Sequence, residues 1–273
     1  MIKIDNSPFD YSLHTFKLND KFEYSSHIHE YYELIYFIQG NAIYSNEEKS
    51  YRLTKGDLVI TRPFSYHCIT FDGTYTRVNI MFDAKQLANP DVLQTVNHLD
   101  VINCNHLPAI SDIMNLLEYY KKNTSNTDFP KVAHLLIEQI FWTLSTPPPA
   151  DISLIANDII DEQHILAPIL QYINDNLALL ETIDSLCQTL HISESYLHKL
   201  FRKTLKTSPA KYIHTKRLMY AKQLLELGKK PTEICYECGY NDYSTFYRNY
   251  VKLFGVAPRQ NIETSAPVKL GQR

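Results

Sequence analysis

Residues Thr182–Leu205 read TIDSLCQTLHISESYLHKLFRKTL, and Pro231–Phe254 read PTEICYECGYNDYSTFYRNYVKLF. Shifted by 48 residues, Leu186-Cys187 falls on Ile234-Cys235, Leu190 on Cys238 and Ile192 on Tyr240. One extra residue in the turn then brings Ser193 onto Asp242, Leu197 onto Phe246 and Phe201 onto Tyr250, with Lys199 on Arg248 and Lys203 on Lys252. An internal repeat of this kind is one supersecondary unit used twice. In the first copy Thr182 caps a short helix and Asp184 places negative charge near its positive end. His191-Ile192 forms the turn, and Ser193 caps a longer helix with Leu197, Leu200 and Phe201 on its apolar stripe. In the second copy Pro231 suits a first helical position, Gly239 supplies a permissive turn and Asp242 is the next cap. One copy would suit a plain helical bundle. Two copies with matching caps and cations favour the helix-turn-helix, whose second helix enters the DNA major groove.

Between the copies, Ser208 caps and Gly228 stops a helix opened by Pro209. Nineteen residues from Pro209 to Leu227 span roughly 28 Å at about 1.5 Å per residue. One turn of B-DNA is about 34 Å, so this spacer suits two recognition helices reading successive major grooves.

These residues resemble the DNA-binding domain of the AraC (arabinose-regulator) family of bacterial transcription factors. The resemblance is carried by Leu186-Cys187, Ile192-Ser193, Tyr196-Leu197, Leu200-Phe201-Arg202-Lys203, Ser208-Pro209, Tyr212-Ile213, Arg217-Leu218, Ala221 and Leu224-Leu225. It continues through Ile234, Cys238-Gly239-Tyr240, Phe246, Arg248, Lys252, Phe254-Gly255 and Pro258, about the last hundred residues. Departures are mild: cysteines stand where the family usually has alanine or valine, and Tyr250 replaces the usual phenylalanine.

The chain of 273 residues is long enough for two domains. Its net charge of −3 hides an asymmetry. Residues 1–164 hold 12 Lys/Arg against 21 Asp/Glu, and residues 165–263 hold 13 against 9. A basic C-terminal half suits a polyanion, and the acidic half does not. No apolar run approaches the roughly 20 residues of a membrane span, the N-terminus lacks a signal-peptide pattern, and five unevenly spaced cysteines suggest a reduced cytoplasm rather than a disulfide framework.

From about residue 10 to 83 the pattern is all-β, in short segments: YELIYFI, NAIYS, KSYRL, DLVIT, HCITF and TRVNIMF. Asn46-Glu47-Glu48, Lys55-Gly56-Asp57 and Asp72-Gly73 read as hairpin turns, which suggests a small barrel or jelly roll. His27-x-His29-x-x-x-Glu33, Gly40, Gly56-Asp57 and Pro63-x-x-x-His67 resemble a cupin barrel, the common sensory domain of the AraC family. After Asp83 the period becomes helical. Leu107–Lys122 carries Ile110, Ile113, Leu116, Leu117 and Tyr120 on one side. Asp128–Ser145 carries Val132, Leu135, Leu136, Gln139, Ile140 and Thr143. Stripes this wide are buried on the barrel, on each other or in a dimer. Thr146–Ala150 (TPPPA) cannot continue a helix.

The expected fold is therefore α+β multidomain: a cupin-like antiparallel β-barrel with helices, then an all-α domain with two helix-turn-helix motifs. The expected divisions are a domain for effector binding and dimerisation at 1–146, a linker at 147–163, the DNA-binding domain at 164–262 and a disordered tail at 263–273.

Ser195, His198, Lys199 and Arg202 on the first recognition helix, with Tyr243, Ser244, Tyr247 and Arg248 on the second, are the candidate DNA contacts. Lysine and arginine pair with guanine O6 and N7, and hydroxyls reach bases or phosphate. Cys235-x-x-Cys238 invites a metal or redox reading, but the repeat places these residues in a helix core. His27, His29, Glu33 and His67 match the metal-ligand set of catalytic cupins, and three histidines with a carboxylate suit a transition metal. AraC-type sensors generally use the barrel for effectors. His27, His29, Glu33, Tyr36, Tyr66 and His67 are therefore read as effector-binding, with no metal or other cofactor and no catalytic residue assigned.

What the resemblance implies is an effector-responsive regulator of double-stranded DNA, cytoplasmic, homodimeric and not membrane-bound. Its effector would be a small molecule, a sugar among the candidates, and RNA polymerase would be a partner if it activates. Not an enzyme is the expectation. The alternative is a metal-dependent cupin enzyme, or a metal sensor, fused to a DNA-binding domain; a third is a ligand-free barrel that only dimerises.

Overall fold

The computed structural model describes residues 9–17, 26–146, 158–159 and 163–260. They fall into two compact units, one within residues 6–161 and one within 162–273. The expected tail and, apart from 158–159 and 163, the expected linker lie outside the described residues.

The first unit is an antiparallel sheet of β1 (Phe9–Lys17), β2 (Tyr32–Ser45), β3 (Ser50–Leu53), β4 (Asp57–Thr61), β5 (Cys68–Phe82), β6 (Val101–Asn103) and β7 (Asp158–Ile159). The order is β1-β5-β2-β3-β7, with β4 joining β2 to β6. Strand β2 pairs with β5 along most of its length, with β4 through Glu33–Tyr36 and with β3 through Ala42–Ser45. Its partner changes at a bulge, where the register against β5 slips between Phe37 and Asn41. Gly40 sits there at φ 118°, and a Cβ on it would come 2.5 Å from the Cβ of Tyr75. Only glycine fits, and the bulge bends the strand so that the sheet curls.

The hairpin at 46–48 forms as expected between β2 and β3. Asn46 Oδ1 accepts from the amides of Glu48 (2.9 Å) and Lys49 (2.8 Å) and so fixes it. Residues 55–57 form a turn and not a hairpin, because β3 and β4 on either side both pair with β2 and not with each other. The third hairpin does not form either. Strand β5 runs through Asp72-Gly73 without reversing, because β2 pairs with both of its halves while β1 pairs with residues 74–82. Segments read as separate strands are in this way the two halves of β2 and of β5. Asp158–Ile159, expected in the linker, pairs with Ser50–Tyr51 at the sheet edge.

One face of the sheet packs Leu34, Ile60, Val78, Ile80 and Phe82 against α1 (Val92–Thr95), α2 (Pro108–Asn123) and α3 (Phe129–Ser145). The other encloses Ile35, Phe37, Ala42, Tyr44, Val59, Phe71 and Tyr75. The stripe of α3 is centred on Ala133, Leu136, Ile137, Ile140 and Leu144. Leu135, expected on it, is instead 64% exposed, and Leu116 of α2 is 43% exposed. Sequence period alone placed the stripe one position off its true centre.

The second unit is all helical: α4 (Gln163–Asp175), α5 (Ile183–Leu190), α6 (Glu194–Thr204), α7 (Pro209–Glu226), α8 (Pro231–Glu237) and α9 (Tyr243–Phe254). Capping hydroxyls and a carboxylate start four of them. Thr182 accepts from the Ser185 amide at 3.0 Å, Ser193 from Tyr196 at 3.2 Å, Ser208 from Lys211 at 3.3 Å and Asp242 from Thr245 at 2.8 Å. The turns reverse through left-handed residues, His191 at φ 53° and Gly239 at φ 77°. Leu197, Phe201, Ile234, Cys235, Cys238, Phe246 and Tyr250 are fully buried. Burial pushes the Cys238 thiol up to about 12, which suits a core residue rather than a redox or metal ligand. None of the five cysteines is in a disulfide, and all are buried.

Arg217 of α7 joins the two repeats. Its Nε donates to the Leu177 carbonyl at 2.8 Å and its Nη2 to that of Leu180, in the loop leading to α5. A Cβ on Gly239 would lie 2.9 Å from the same guanidinium and 2.9 Å from the Ala178 carbonyl oxygen.

Phe201→Ala should lower unfolding stability by about 3–5 kcal/mol through the cavity left beside Tyr212. Gly239→Ala should cost more than about 1 kcal/mol, from its positive φ and the crowded guanidinium. Chemical denaturation followed by helical circular dichroism measures both.

Candidate DNA-reading face and effector site

Helix α6 buries Leu197, Leu200 and Phe201 and turns the opposite side outward. Ser195, Lys199 and Arg202 are exposed and His198 is half-buried. Their spacing, at positions i, i+3, i+4 and i+7, puts all four on one stripe. Together with Lys203 they line one open concave surface. Lys203 was absent from the sequence-derived contacts, although its alignment with Lys252 in the repeat was a usable signal. His198 Nε2 lies 3.5 Å from Glu194 Oε1, one helical turn earlier.

Helix α9 repeats the arrangement with different chemistry. Phe246, Tyr250 and Phe254 are buried, Ser244, Tyr247 and Arg248 are exposed, and Tyr243 is half-buried. The Tyr243 and Tyr247 rings lie tilted with centroids 6.2 Å apart, and Arg248 Nη2 donates to Thr245 Oγ1 at 3.3 Å. The first helix thus offers mainly cations, and the second offers one guanidinium beside two phenols.

In the first unit, His27 and His67 are held opposite each other by paired amide-to-carbonyl bonds of 3.0 and 3.1 Å. His29 and Glu33 come from the run into β2. The donor atoms of His27, His29, Glu33 and His67 all lie within 4.8 Å of one another. His29, Glu33 and His67 are 8%, 3% and 1% exposed.

The tautomers are fixed from behind. His29 Nδ1 lies 2.8 Å from the Tyr31 carbonyl and His67 Nδ1 lies 3.0 Å from that of Ser65. A carbonyl only accepts, so each Nδ1 carries its hydrogen and a neutral ring presents Nε2 as a lone pair. Both Nε2 atoms face Glu33 Oε2, at 3.4 Å for His29 and 3.0 Å for His67, the latter off the line that a hydrogen bond needs. Lone pairs facing a carboxylate repel. Relief comes from protonation of the rings or from a cation among them.

Burial would push the Glu33 carboxyl up, but the pull of the His29 and His67 rings overrides it and holds the group well below the usual range. Burial, and next the charge of His67, lower His27 to about 3.

Not every expected effector residue joins this cluster. Tyr36 follows Glu33 by three on a regular stretch of strand, so it points to the opposite face, where it packs on the helical side. Tyr66 is buried next to His67 in the chain, with its amide donating to Glu47 Oε1 at 3.3 Å. The aromatic ring that approaches His67 is that of Tyr44, at 6.2 Å, with its hydroxyl 3.0 Å from Thr61 Oγ1. Alternation counted along β2 from Glu33 sends Tyr44 to the wrong face, because the bulge reverses the parity.

Comparisons with known proteins agree with this division. A family model described as an AraC-like ligand binding domain matches residues 15–96, and one described as a helix-turn-helix domain matches residues 186–263. The chain is 25% identical to the lactose operon transcription activator of Staphylococcus xylosus over 80% of this chain and 79% of that one. It is 24% identical to the HTH-type transcriptional activator RhaR of Salmonella choleraesuis (strain SC-B67) over 87% of this chain and 86% of that one. The solved structure of ToxT from Vibrio cholerae O395 shares 14% identity over 96% of this chain and 99% of that one, with a TM-score of 0.40, a likeness too loose to argue from.

The two halves define a DNA-binding transcription regulator that carries a ligand-binding domain. The chain belongs to the AraC family.

Lys199→Ala and Arg248→Ala should each weaken operator binding by about 1–3 kcal/mol and relax preference at one base pair. Electrophoretic mobility shift against operator and random duplex reads this out, and unchanged binding by both variants would remove these residues from the reading face.

Proposed function

We propose that the chain is an activator whose two recognition helices read adjacent major grooves of one DNA site, under control of a small molecule held in the curled sheet. The single observation that carries this reading is the repeat in three dimensions. Both α6 and α9 bury the same apolar positions and leave Ser195, His198, Lys199 and Arg202, and Tyr243, Ser244, Tyr247 and Arg248, on the side away from the core. Activation, and RNA polymerase as partner, are carried over from relatives named as activators. A sugar effector follows from the lactose operon relative alone.

The chain acts by binding rather than by turnover, and its setting is the cytoplasm, where its DNA is. Among the described residues no helix is long and apolar enough to cross a membrane. The domain division is 1–146 and 164–262, with Asp158–Ile159 of the expected linker joining the sheet edge of the first unit, and effector contact is at His27, His29, Glu33, Tyr66 and His67. Tyr44 takes the aromatic role first given to Tyr36.

The active species is a homodimer. Leu116 and Tyr119 on α2, with Leu135 and Trp142 on α3, are 43%, 58%, 64% and 49% exposed. Four large apolar side chains in water on neighbouring helices suit a two-fold interface. Leu135→Glu should therefore shift the sedimentation coefficient of the full chain from dimer to monomer. It should also weaken binding to a two-site operator by about tenfold or more through lost avidity.

A second reading of the barrel is favoured by the fixed tautomers. The Nε2 lone pairs of His29 and His67, with His27 and Glu33, form a three-nitrogen, one-oxygen donor set that fits a divalent transition ion. Such an ion would supply a Lewis-acid centre for an oxygen-bearing effector. Metal analysis separates the readings. About one ion per chain, lost in Glu33→Gln together with several degrees of melting temperature, selects the metal site. Far less than one ion, with a melting temperature indifferent to chelator, selects hydrogen bonding alone. Under either reading His29→Ala should blunt the effector response and leave effector-independent DNA binding intact.

A further inference from the structure

The inner face of β5 carries two polar side chains that none of the roles above uses. Tyr75, Arg77 and Asn79 alternate on that face. In register they lie beside Phe16, His14 and Ser12 of β1, while Phe37 and Ile35 of β2 face Arg77 and Asn79 from the other side. Asn79 is 7% exposed, and its Oδ1 is buried without a hydrogen-bond partner. Arg77 Nε is buried without a partner too. The Arg77 guanidinium lies 5.1 Å from the Phe16 ring centroid and 5.9 Å from that of Tyr75. Its charge also contributes, as the smallest cause, to the lowering of His27.

An unmade buried hydrogen bond costs about 1–3 kcal/mol, and more for a charged group. Such groups are rare in folded proteins, and two on adjacent inward positions of one strand need a reason. A ligand supplies one. Nε is the atom an arginine uses, with one Nη, to grip a carboxylate in a two-bonded fork. Asn79 requires a hydroxyl, which serves either orientation of the amide because it both donates and accepts. Arg77 and Asn79 sit two residues apart, roughly 6.6 Å along the strand, so the carboxylate and hydroxyl belong to one molecule of several carbons. A neutral sugar would leave the Arg77 charge to the Phe16 and Tyr75 rings alone, and a cationic ligand would be repelled.

We propose that the effector is a hydroxylated carboxylic acid of the sugar-acid class, its carboxylate held by Arg77 and a hydroxyl by Asn79. This rests on the effector-pocket reading of the barrel and names the ligand class for it.

The test uses the full-length chain, with thermal shift and titration calorimetry. D-Galacturonate, D-glucuronate and D-gluconate are each compared with the neutral parents D-galactose and D-glucose. At least one acid should bind about tenfold or more tightly than its parent, corresponding to one well-made polar contact. In the same assay Arg77→Gln should abolish acid binding and Asn79→Ala should weaken it severalfold. Arg77→Lys keeps the charge but loses the fork, so it should bind weakly; it carries the test if Arg77→Gln does not fold by circular dichroism. Parents that bind as well as the acids overturn the ligand class and leave the effector pocket standing. Folded Arg77 variants that bind the acids like the wild type overturn the assignment of the carboxylate. If neither acids nor neutral sugars bind, the sugar-acid class is overturned, and the effector-pocket reading is then judged separately by the response of His29→Ala.

Discussion

The DNA-binding half depends on one guanidinium. Arg217 reaches from the central helix to the carbonyls of Leu177 and Leu180, and it fills the space above Gly239 that any side chain there would occupy. The carbonyls belong to the loop before the first helix-turn-helix, and the glycine is the turn of the second. A partly buried charge is expensive unless hydrogen-bonded, and the carbonyls available to Arg217 exist only when α4 and α5 meet at the right angle. The same group therefore sets the first motif against the central helix and limits how closely the second can approach. Tyr212 Oη to Asn174 Oδ1 at 3.1 Å and Tyr240 Oη with His214 Nδ1 at 3.2 Å add polar ties near the N-terminal end of α7. These contacts tie both motifs to α7.

The sensing half is organised by a defect. A sheet with strict alternation would put every second residue of β2 on one face, and the strand would stay flat. The bulge at Gly40 does two things at once. It turns the strand so that its first half pairs with β4 and its second with β3, and it lets Tyr44 face the same interior as Glu33. Glu33 then shares its face of β2 with Ile35, Phe37 and Tyr44, and His29, Glu33 and His67 are buried, so each hydrogen bond or charge contact among them counts for more. That setting explains how four polar donors can be kept so close: the Ser65 and Tyr31 carbonyls orient two of the rings, and the His27–His67 bridge fixes a third.

Legibility followed the range of the interactions. The helix-turn-helix repeat could be read from residue order because caps, turns and apolar stripes are local: Thr182, Ser193, Ser208 and Asp242 are all caps in the structure. The histidine cluster was legible because His27, His29 and Glu33 are neighbours in the chain, with only His67 distant. Three things were not legible. The hairpin expected at Asp72-Gly73 failed because strand partners on both sides override a turn propensity. The place of Tyr44 beside His67 is not readable in the sequence, because the parity change is a property of pairing, invisible in one strand. Arg77 and Asn79 were passed over because a single arginine and asparagine in a β-rich stretch look like solvent-facing residues until their neighbours are known.

The buried cysteines have a consequence of a chemical kind. Cys68 and Cys104 lie in the sheet unit, and Cys187, Cys235 and Cys238 in the helical one. Desolvation raises the thiols of Cys104, Cys187, Cys235 and Cys238 above their usual range, so little reactive thiolate is present at neutral pH while the fold is intact. An alkylating reagent reaches these sulfurs only through opening of the surrounding core. Each half of the molecule therefore carries its own internal clock of local opening, and peptide mapping of the alkylated sulfurs tells which half has opened without any introduced label.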